Sequence, residues 1–245
     1  MRPPSDWAAL GTRLAAALRP VAEPIGIAFL ASDPEAQAAP FSGPSAAPNA
    51  AGRTGAVPAG CVFWMKAAHR SFSTVASDHA NCSVGSYTHG FLTLAEAAAK
   101  DDVAAVLGSG WVTAAAVQAV PHLRERPNRI VYGPLAQMTA APDVVLVRIT
   151  GLGLMTLKDA FPALRIEGKP QCHIIAVAKE SAELAVSVGC ALSRARTGMG
   201  PEEMTCALPA ARLGEIVTDL EAAAELDRAL ARYASADAKR FPSQR

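Results

Sequence analysis

The cysteines are the residues in this sequence best able to do chemistry. They lie at positions 61, 82, 172, 190 and 206, and no pair has the C-x-x-C spacing of zinc ribbons or thioredoxin-like sites. Spacing alone therefore favours packed thiols, because cysteine is among the residues most often buried.

The local context of four cysteines points to more than packing. We place these four at junctions between loops and helices: Cys61 after Gly60, Cys82 in the glycine-punctuated loop 78–90, Cys172 after Gln171, and Cys190 after Gly189. The N-terminus of a helix lowers the pKa of a thiol, which suits a metal ligand or a nucleophile. Cys206 differs, because it lies inside a predicted strand and is expected to be a packed side chain.

Histidine and arginine offer two further candidates. His79-x-x-Cys82 could be a ligand pair or a thiolate–imidazole pair, although histidines in a polar loop are often simply solvated. Gly189-Cys190-x-x-x-Arg194 begins a helix after a strand, so its backbone N–H groups and arginine could hold an anion or cofactor. The alternative is a solvated basic helix end. No P-loop, complete dinucleotide fingerprint or G-x-S-x-G elbow occurs.

Strand and helix patterns alternate along the chain and must position these residues. We predict an α/β (or α+β) fold with one main mixed sheet flanked by helices, in which the strands at 24–30, 144–149 and 183–188 share that sheet. Further strands are predicted at 72–75, 129–132, 164–166 and 204–208, and helices at 7–18, 61–70, 94–99, 103–107, 111–120, 151–161, 172–179, 191–196 and 212–233. The last helix has Leu213, Ile216, Val217, Leu220 and Leu226 on its apolar side.

The chain divides into one main domain and its flanks. We predict an N-terminal helix within 1–20, a single α/β domain over 21–233 and a frayed polar tail over 234–245. Segment 31–60 is dominated by Ala, Pro, Gly and Ser without periodicity, so it is expected to be a flexible loop outside the sheet.

Composition excludes several classes of function. The chain of 245 residues has 23 Lys and Arg against 22 Asp and Glu, and only 5% of its residues are aromatic. Nucleic-acid binding needs a cationic surplus or stacking rings, so we expect no nucleic-acid partner. Apolar runs fall far short of the ~18 residues that cross a bilayer, and no secretory core follows Met1. We therefore expect a cytoplasmic protein without membrane association, where cysteines rarely form a disulfide framework.

Several of these motifs, taken in order, resemble the family known as domain of unknown function 169. The similar segments are Pro24–Leu30, Cys61, the H-x-x-C-x-x-G run of His79–Gly85 with Gly90, Pro142–Val147, Cys172, Val188–Arg194 and Leu208–Pro209 with Leu213. The resemblance covers roughly 21–226. It departs from the family where Ala191-Leu192 replace small polar or glycine residues, and where the 31–60 loop is longer.

The resemblance implies that Cys61, Cys82, Cys172 and Cys190 are the recurring cysteines of the family and that Cys206 is not. It supplies positions and no reaction. We expect the four to converge on an iron–sulfur cluster, [4Fe–4S], because scattered ligands suit a cluster better than structural zinc, which uses closely spaced pairs. Their sulfurs would then lie roughly 6–7 Å apart, scaled from metal–thiolate bonds of ~2.3 Å.

Such a protein would be an electron carrier, redox sensor or accessory factor with a redox partner protein. Three alternatives stay open at this stage: a thiol enzyme in which His79 is the base for Cys82, a zinc- or haem-binding module without catalysis, and a domain with buried thiols only. Whether the chain is an enzyme, and whether it forms a homo-oligomer, is left open by the sequence.

Overall fold

The computed structural model describes residues 6–32, 38–42 and 60–238. Its strands are β1 (Ile25–Leu30), β2 (Phe72–Thr74), β3 (Arg129–Pro134), β4 (Val144–Ile149), β5 (Arg165–Glu167), β6 (Ala185–Ser187) and β7 (Met204–Pro209). Its helices are α1 (Trp7–Leu18), α2 (Gly60–Ala67), α3 (Ser83–Thr88), α4 (Leu94–Ala98), α5 (Asp101–Gly108), α6 (Ala114–Gln118), α7 (Gly151–Ala160), α8 (Ile174–Ser181), α9 (Ala191–Thr197) and α10 (Leu213–Asp237).

The strands form one seven-stranded sheet in the order β2-β3-β1-β4-β7-β6-β5. β5 and β6 pair in parallel and the other neighbours pair antiparallel, so the sheet is mixed. The predicted α/β class is confirmed, and β1, β4 and β6 share the sheet as expected.

Each face of the sheet packs against its own apolar core. The side chains of β4 alternate between these two cores. Val144 and Leu146 belong to a core with α2 and α8, whereas Val145, Val147 and Ile149 belong to a core with α1, α7 and α10. Successive side chains of a strand point to opposite faces, so the apolar residues of VVLVRI, interrupted only by Arg148, serve both cores. The sheet is therefore buried between two helical layers.

Two predicted elements differ from the structure. The polar segment 78–90 was expected to be a loop but contains α3, because tertiary burial of small residues such as Ser86 and Thr88 outweighs weak helix propensity. The helix expected over 111–120 is only Ala114–Gln118, beginning where Thr113 caps the backbone N–H of Ala116.

Part of the segment 31–60 lies along the sheet rather than apart from it. Pro40 forms a β-bridge with Ser73 of β2, and the Phe41 ring lies 5.0 Å from the Phe63 ring, centroid to centroid. Residues 33–37 and 43–59 lie outside the described residues, so the prediction of a flexible loop is not tested there. At the other end, α10 continues to Asp237 where a frayed tail was expected from 234, and 239–245 lie outside the described residues.

The last helix packs through four of the five residues on its predicted apolar side. Leu213, Ile216, Val217 and Leu220 are fully buried, whereas Leu226 is 73% exposed. The prediction for Leu226 was wrong, because this side chain lies off the packed side of α10, although its neighbour Asp227 still accepts a hydrogen bond from Thr156 of α7 at 3.0 Å. Within the described ranges, no helix combines the length and apolarity needed to cross a membrane.

This difference gives a matched test of the packing. Leu220→Ala should lower the free energy of unfolding by about 2–5 kcal/mol, because it removes a fully buried side chain and leaves a cavity. Leu226→Ala, on the same helix, should change it by less than about 0.5 kcal/mol. Urea unfolding followed by circular dichroism measures both values, and equal losses would contradict the packing described.

Candidate functional site

Four cysteines line one cavity of about 260 Å³. They are called here the cavity cysteines: Cys61, Cys82, Cys172 and Cys190. Successive cavity cysteines are separated by as many as 90 residues in sequence, and all four line this one cavity. Cys206 belongs to the core on the opposite face of the sheet, so it takes no part in the cavity.

Each cavity cysteine stands at or beside the start of a helix. Cys61 is in the first turn of α2, Cys82 and Cys190 are the N-cap residues of α3 and α9, and Cys172 lies in the 3-10 turn that leads into α8. The core formed with α2 and α8 includes Cys61 and Cys172, and Cys82 packs against it. Packing of these helices on the sheet therefore places the sulfurs.

Polar groups lie against the cavity cysteines. The backbone N–H of Gly85 donates a hydrogen bond to Cys82 Sγ, at 3.4 Å. The Arg196 guanidinium and the Ser193 side chain also line the cavity. The cavity is thus prepared to stabilise negative charge on sulfur.

Burial acts against that charge while the thiols have no metal. Desolvation raises the pKa of Cys61 and, more strongly, that of Cys172, with the neighbouring thiols adding to the effect. Burial would lower the pKa of Arg196, but its interactions with the cavity cysteines, Cys82 first, raise it overall. The two buried thiols are therefore protonated at neutral pH, and a cation that replaces their protons would compensate the cost of burial.

The outer wall of the cavity is apolar. It is formed by side chains from α3, α5, α6, α9 and the connections between them: Val84, Ala105, Val106, Trp111, Val112, Val117, Val120 and Leu192. At the edge, the Lys169 ammonium lies 4.3 Å from the centroid of the Trp111 ring, a cation–π contact. Asp102 also lines the cavity, and its Oδ2 accepts a hydrogen bond from the Ser83 N–H at 2.9 Å.

His79 lies behind the cavity wall and not on it. Its side chain is buried, and its Nε2 lies 3.0 Å from the Thr74 hydroxyl. His89 is buried beside it, with Nδ1 donating to the Gly85 carbonyl at 2.8 Å. Burial lowers the pKa of His79 well below its ordinary value and that of His89 to about 4, so both rings are neutral near pH 7. Sequence analysis singled out His79 and gave no role to His89.

Gly189 and Arg194 shape the loop that leads to Cys190. The Arg194 guanidinium donates to the backbone carbonyls of Val188 at 2.9 Å and Glu203 at 2.7 Å, and also to that of Gly200. Gly189 has a φ of 110°, and a Cβ there would lie 2.8 Å from an Arg194 nitrogen. Neither residue is among those that line the cavity.

The arginine that faces the cavity is Arg196, with Leu192 and Ser193. The sequence analysis named Arg194 as the candidate. Residues two positions apart on a helix point in different directions, so Arg194 and Arg196 cannot both face the cavity. Spacing of three and four residues from Ser193 and Leu192 was the signal that could have identified Arg196.

Across the described ranges, no group of three or more His, Cys, Asp or Glu side chains has the arrangement that would hold a metal ion. The family model DUF169, described as uncharacterised ArCR, COG2043, matches residues 13–219. No curated protein matches the chain, and no solved structure does.

The buried His89 predicts a loss of stability in acid. Its pKa is about 4 in the folded protein and 6.5 for the ordinary side chain, so the unfolded chain binds more protons between these values. Stability should therefore fall as the pH drops below 6.5, by about 2 kcal/mol from His89 at pH 5, at 1.36 kcal/mol per pKa unit.

The measurement is urea unfolding at pH 7.5 and pH 5. His89→Gln should reduce the difference between the two values, and substitution of the exposed His69 by Gln should leave it unchanged. An unchanged pH dependence in His89→Gln would show that this ring is not buried in its neutral form.

Proposed function

Given that the chain belongs to the DUF169 family, we propose that its cavity cysteines bind an iron–sulfur cluster, with [4Fe–4S] as the form held. One observation carries the proposal: four thiols from separate parts of the chain line a single cavity. Packed thiols without a role would have no reason to meet, and Cys206, on the other face, is an example of such a residue.

The size of the cavity supports a cluster over a single ion. A tetrahedral zinc site with bonds of ~2.3 Å brings its sulfurs within about 3.8 Å of one another and needs no cavity between them. A cluster spreads its four ligands over roughly 6–7 Å. The cavity of about 260 Å³ leaves room for the larger group.

The surrounding residues would stabilise the net negative charge that a cluster carries together with its four thiolate ligands. The Gly85 N–H donates to Cys82 and the Arg196 guanidinium lines the same cavity, and donors near the sulfurs help to set the potential of a cluster. The apolar wall around Trp111 limits contact with water. When bound, the cluster would supply one-electron transfer, and the chain would hold, shield and tune it.

The biological role that follows is a redox, sensor or accessory one. We propose a cytoplasmic protein that exchanges electrons with a partner protein, because thiolate ligands and an unpaired Cys206 are kept reduced in that compartment. The exposed edge of the cavity near Lys169 and Arg196 is where a partner would come closest to the cluster.

Anaerobic purification followed by iron and sulfide analysis tests the proposal. We expect a brown protein with broad absorption near ~400 nm that bleaches on reduction, and iron and sulfide in equal amounts. A sharp, intense band would indicate haem instead, and a colourless protein containing zinc would indicate a zinc site. A colourless parent after cluster reconstitution would refute the proposal.

Single Cys→Ser variants identify the ligands. Each substitution of a cavity cysteine should remove or weaken the absorption, because a hydroxyl is a poor ligand for an iron–sulfur cluster. The matched control is Cys206→Ser, which should keep the absorption and lower the free energy of unfolding by about 1–3 kcal/mol through an unpaired buried hydroxyl. Five similar stability losses without any chromophore would instead indicate buried thiols only. Loss of a reaction in both Cys82→Ser and His79→Ala, at unchanged stability, would indicate a thiol enzyme.

A further inference from the structure

Two buried imidazoles lie together behind the N-terminus of α2. His79 is 1% exposed and His89 0%, and their ring centroids are 5.5 Å apart. Each ring uses one nitrogen, on Thr74 and on the Gly85 carbonyl respectively. The other two nitrogens, His79 Nδ1 and His89 Nε2, have no hydrogen-bond partner in the described part of the chain. Unpartnered buried polar atoms are rare, and each one calls for an explanation.

Both of these nitrogens face the same space beside Gly60. A Cβ built on Gly60 would lie 3.7 Å from His79 Nδ1 and 3.8 Å from His89 Nε2, with its closest contact 3.4 Å from His89 Cε1. One extra atom therefore fits between the rings at ordinary van der Waals distances. Gly60 also lines the cavity of the cysteines, so this space adjoins the cavity.

The hydrogen-bonding chemistry of the rings defines what can occupy that space. His89 Nδ1 faces a carbonyl oxygen, which can only accept, so this nitrogen carries the proton and His89 Nε2 is an acceptor. If the Thr74 hydroxyl donates to His79 Nε2, then His79 Nδ1 is a donor. A neighbour of both nitrogens must then both donate and accept. Water does so, and a buried water needs two to four polar partners and only about 10–15 Å³ of space.

We propose that His79 and His89 bind one water molecule beside Gly60, and that this water donates a hydrogen bond to the group held by the cavity cysteines. The water accepts from His79, donates one hydrogen to His89 and has the second free for a sulfur. The first half of the proposal stands alone, and the second half rests on the proposed cluster. Hydrogen bonds to the sulfurs of a cluster help to set its reduction potential, and a lost donor makes the potential more negative. His79 and His89 are positioning residues in this scheme.

Gly60→Ala tests the site, because the added methyl group takes the place of the water. The variant should fold, since its Cβ meets no atom closer than 3.4 Å. The matched control is Gly214→Ala, also in the first turn of a helix, where a Cβ meets nothing within 4 Å. Both substitutions remove a helical glycine, so a difference between them reports on the space beside Gly60.

Crystal structures of the cluster-free protein provide the first readout. We expect a water within hydrogen-bonding distance of His79 Nδ1 and His89 Nε2 in the parent and in Gly214→Ala, and its loss in Gly60→Ala. The absence of that water from a parent structure that shows other buried waters would overturn the proposal. A metal ion at that position, identified by anomalous scattering, would also overturn it. If Gly60→Ala does not fold, His89→Leu removes the acceptor and should likewise lose the water.

The reduction potential of the loaded protein provides the second readout. Gly60→Ala should shift it to a more negative value than the parent and Gly214→Ala have. An unchanged potential, with the water lost, would overturn the role of the water toward the cluster. A protein that shows the water but never binds a cluster would refute the proposed function and leave the water site standing.

Discussion

Phe63 and Trp64 of α2 and Ile174 and Ile175 of α8 are buried against one face of the sheet, and the positions of Cys61 and Cys172 depend on that contact. It fixes the start of each helix, and therefore fixes Cys61 directly and Cys172 through the turn before α8. The apolar residues of β1, β3 and β4 form the surface on which both helices lie. Loss of this packing would separate sulfurs that no covalent link holds together.

When the cavity holds no bound group, burial of its thiols and the positive groups beside them have opposite effects on the charge of the sulfurs. Burial raises the pKa of Cys61 and Cys172, whereas Arg196 and the Gly85 N–H favour negative charge on Cys82. Such a site gains most from a positively charged occupant that replaces the thiol protons, because it then satisfies both the sulfurs and their donors. The neutral imidazoles of His79 and His89 extend this polar region into the core behind α2.

The position of Cys190 depends on the conformation of the loop that leads into α9. The Arg194 guanidinium donates hydrogen bonds to three backbone carbonyls near Cys190. These bonds hold the loop before α9 in one conformation. The guanidinium of Arg196, two residues later, is left for the cavity. The two arginines of α9 thus have different roles: Arg194 binds backbone carbonyls, and Arg196 faces the cavity cysteines.

The sequence by itself determined the class of fold, the main strands and the separation of Cys206 from the other cysteines. These features follow from local patterns, since the apolar runs of β4 and β7 indicate buried strands, and residues such as Gly60 and Gly189 mark the loops before helices. Only the tertiary structure decided that α3 is a helix, that Leu226 is exposed and that Arg196 rather than Arg194 faces the cavity. Only it brought the orphan nitrogens of His79 and His89 together beside Gly60. Apart from Arg196, whose spacing from Leu192 and Ser193 was a local signal, these outcomes depend on contacts between residues far apart in the chain, which local propensity does not determine.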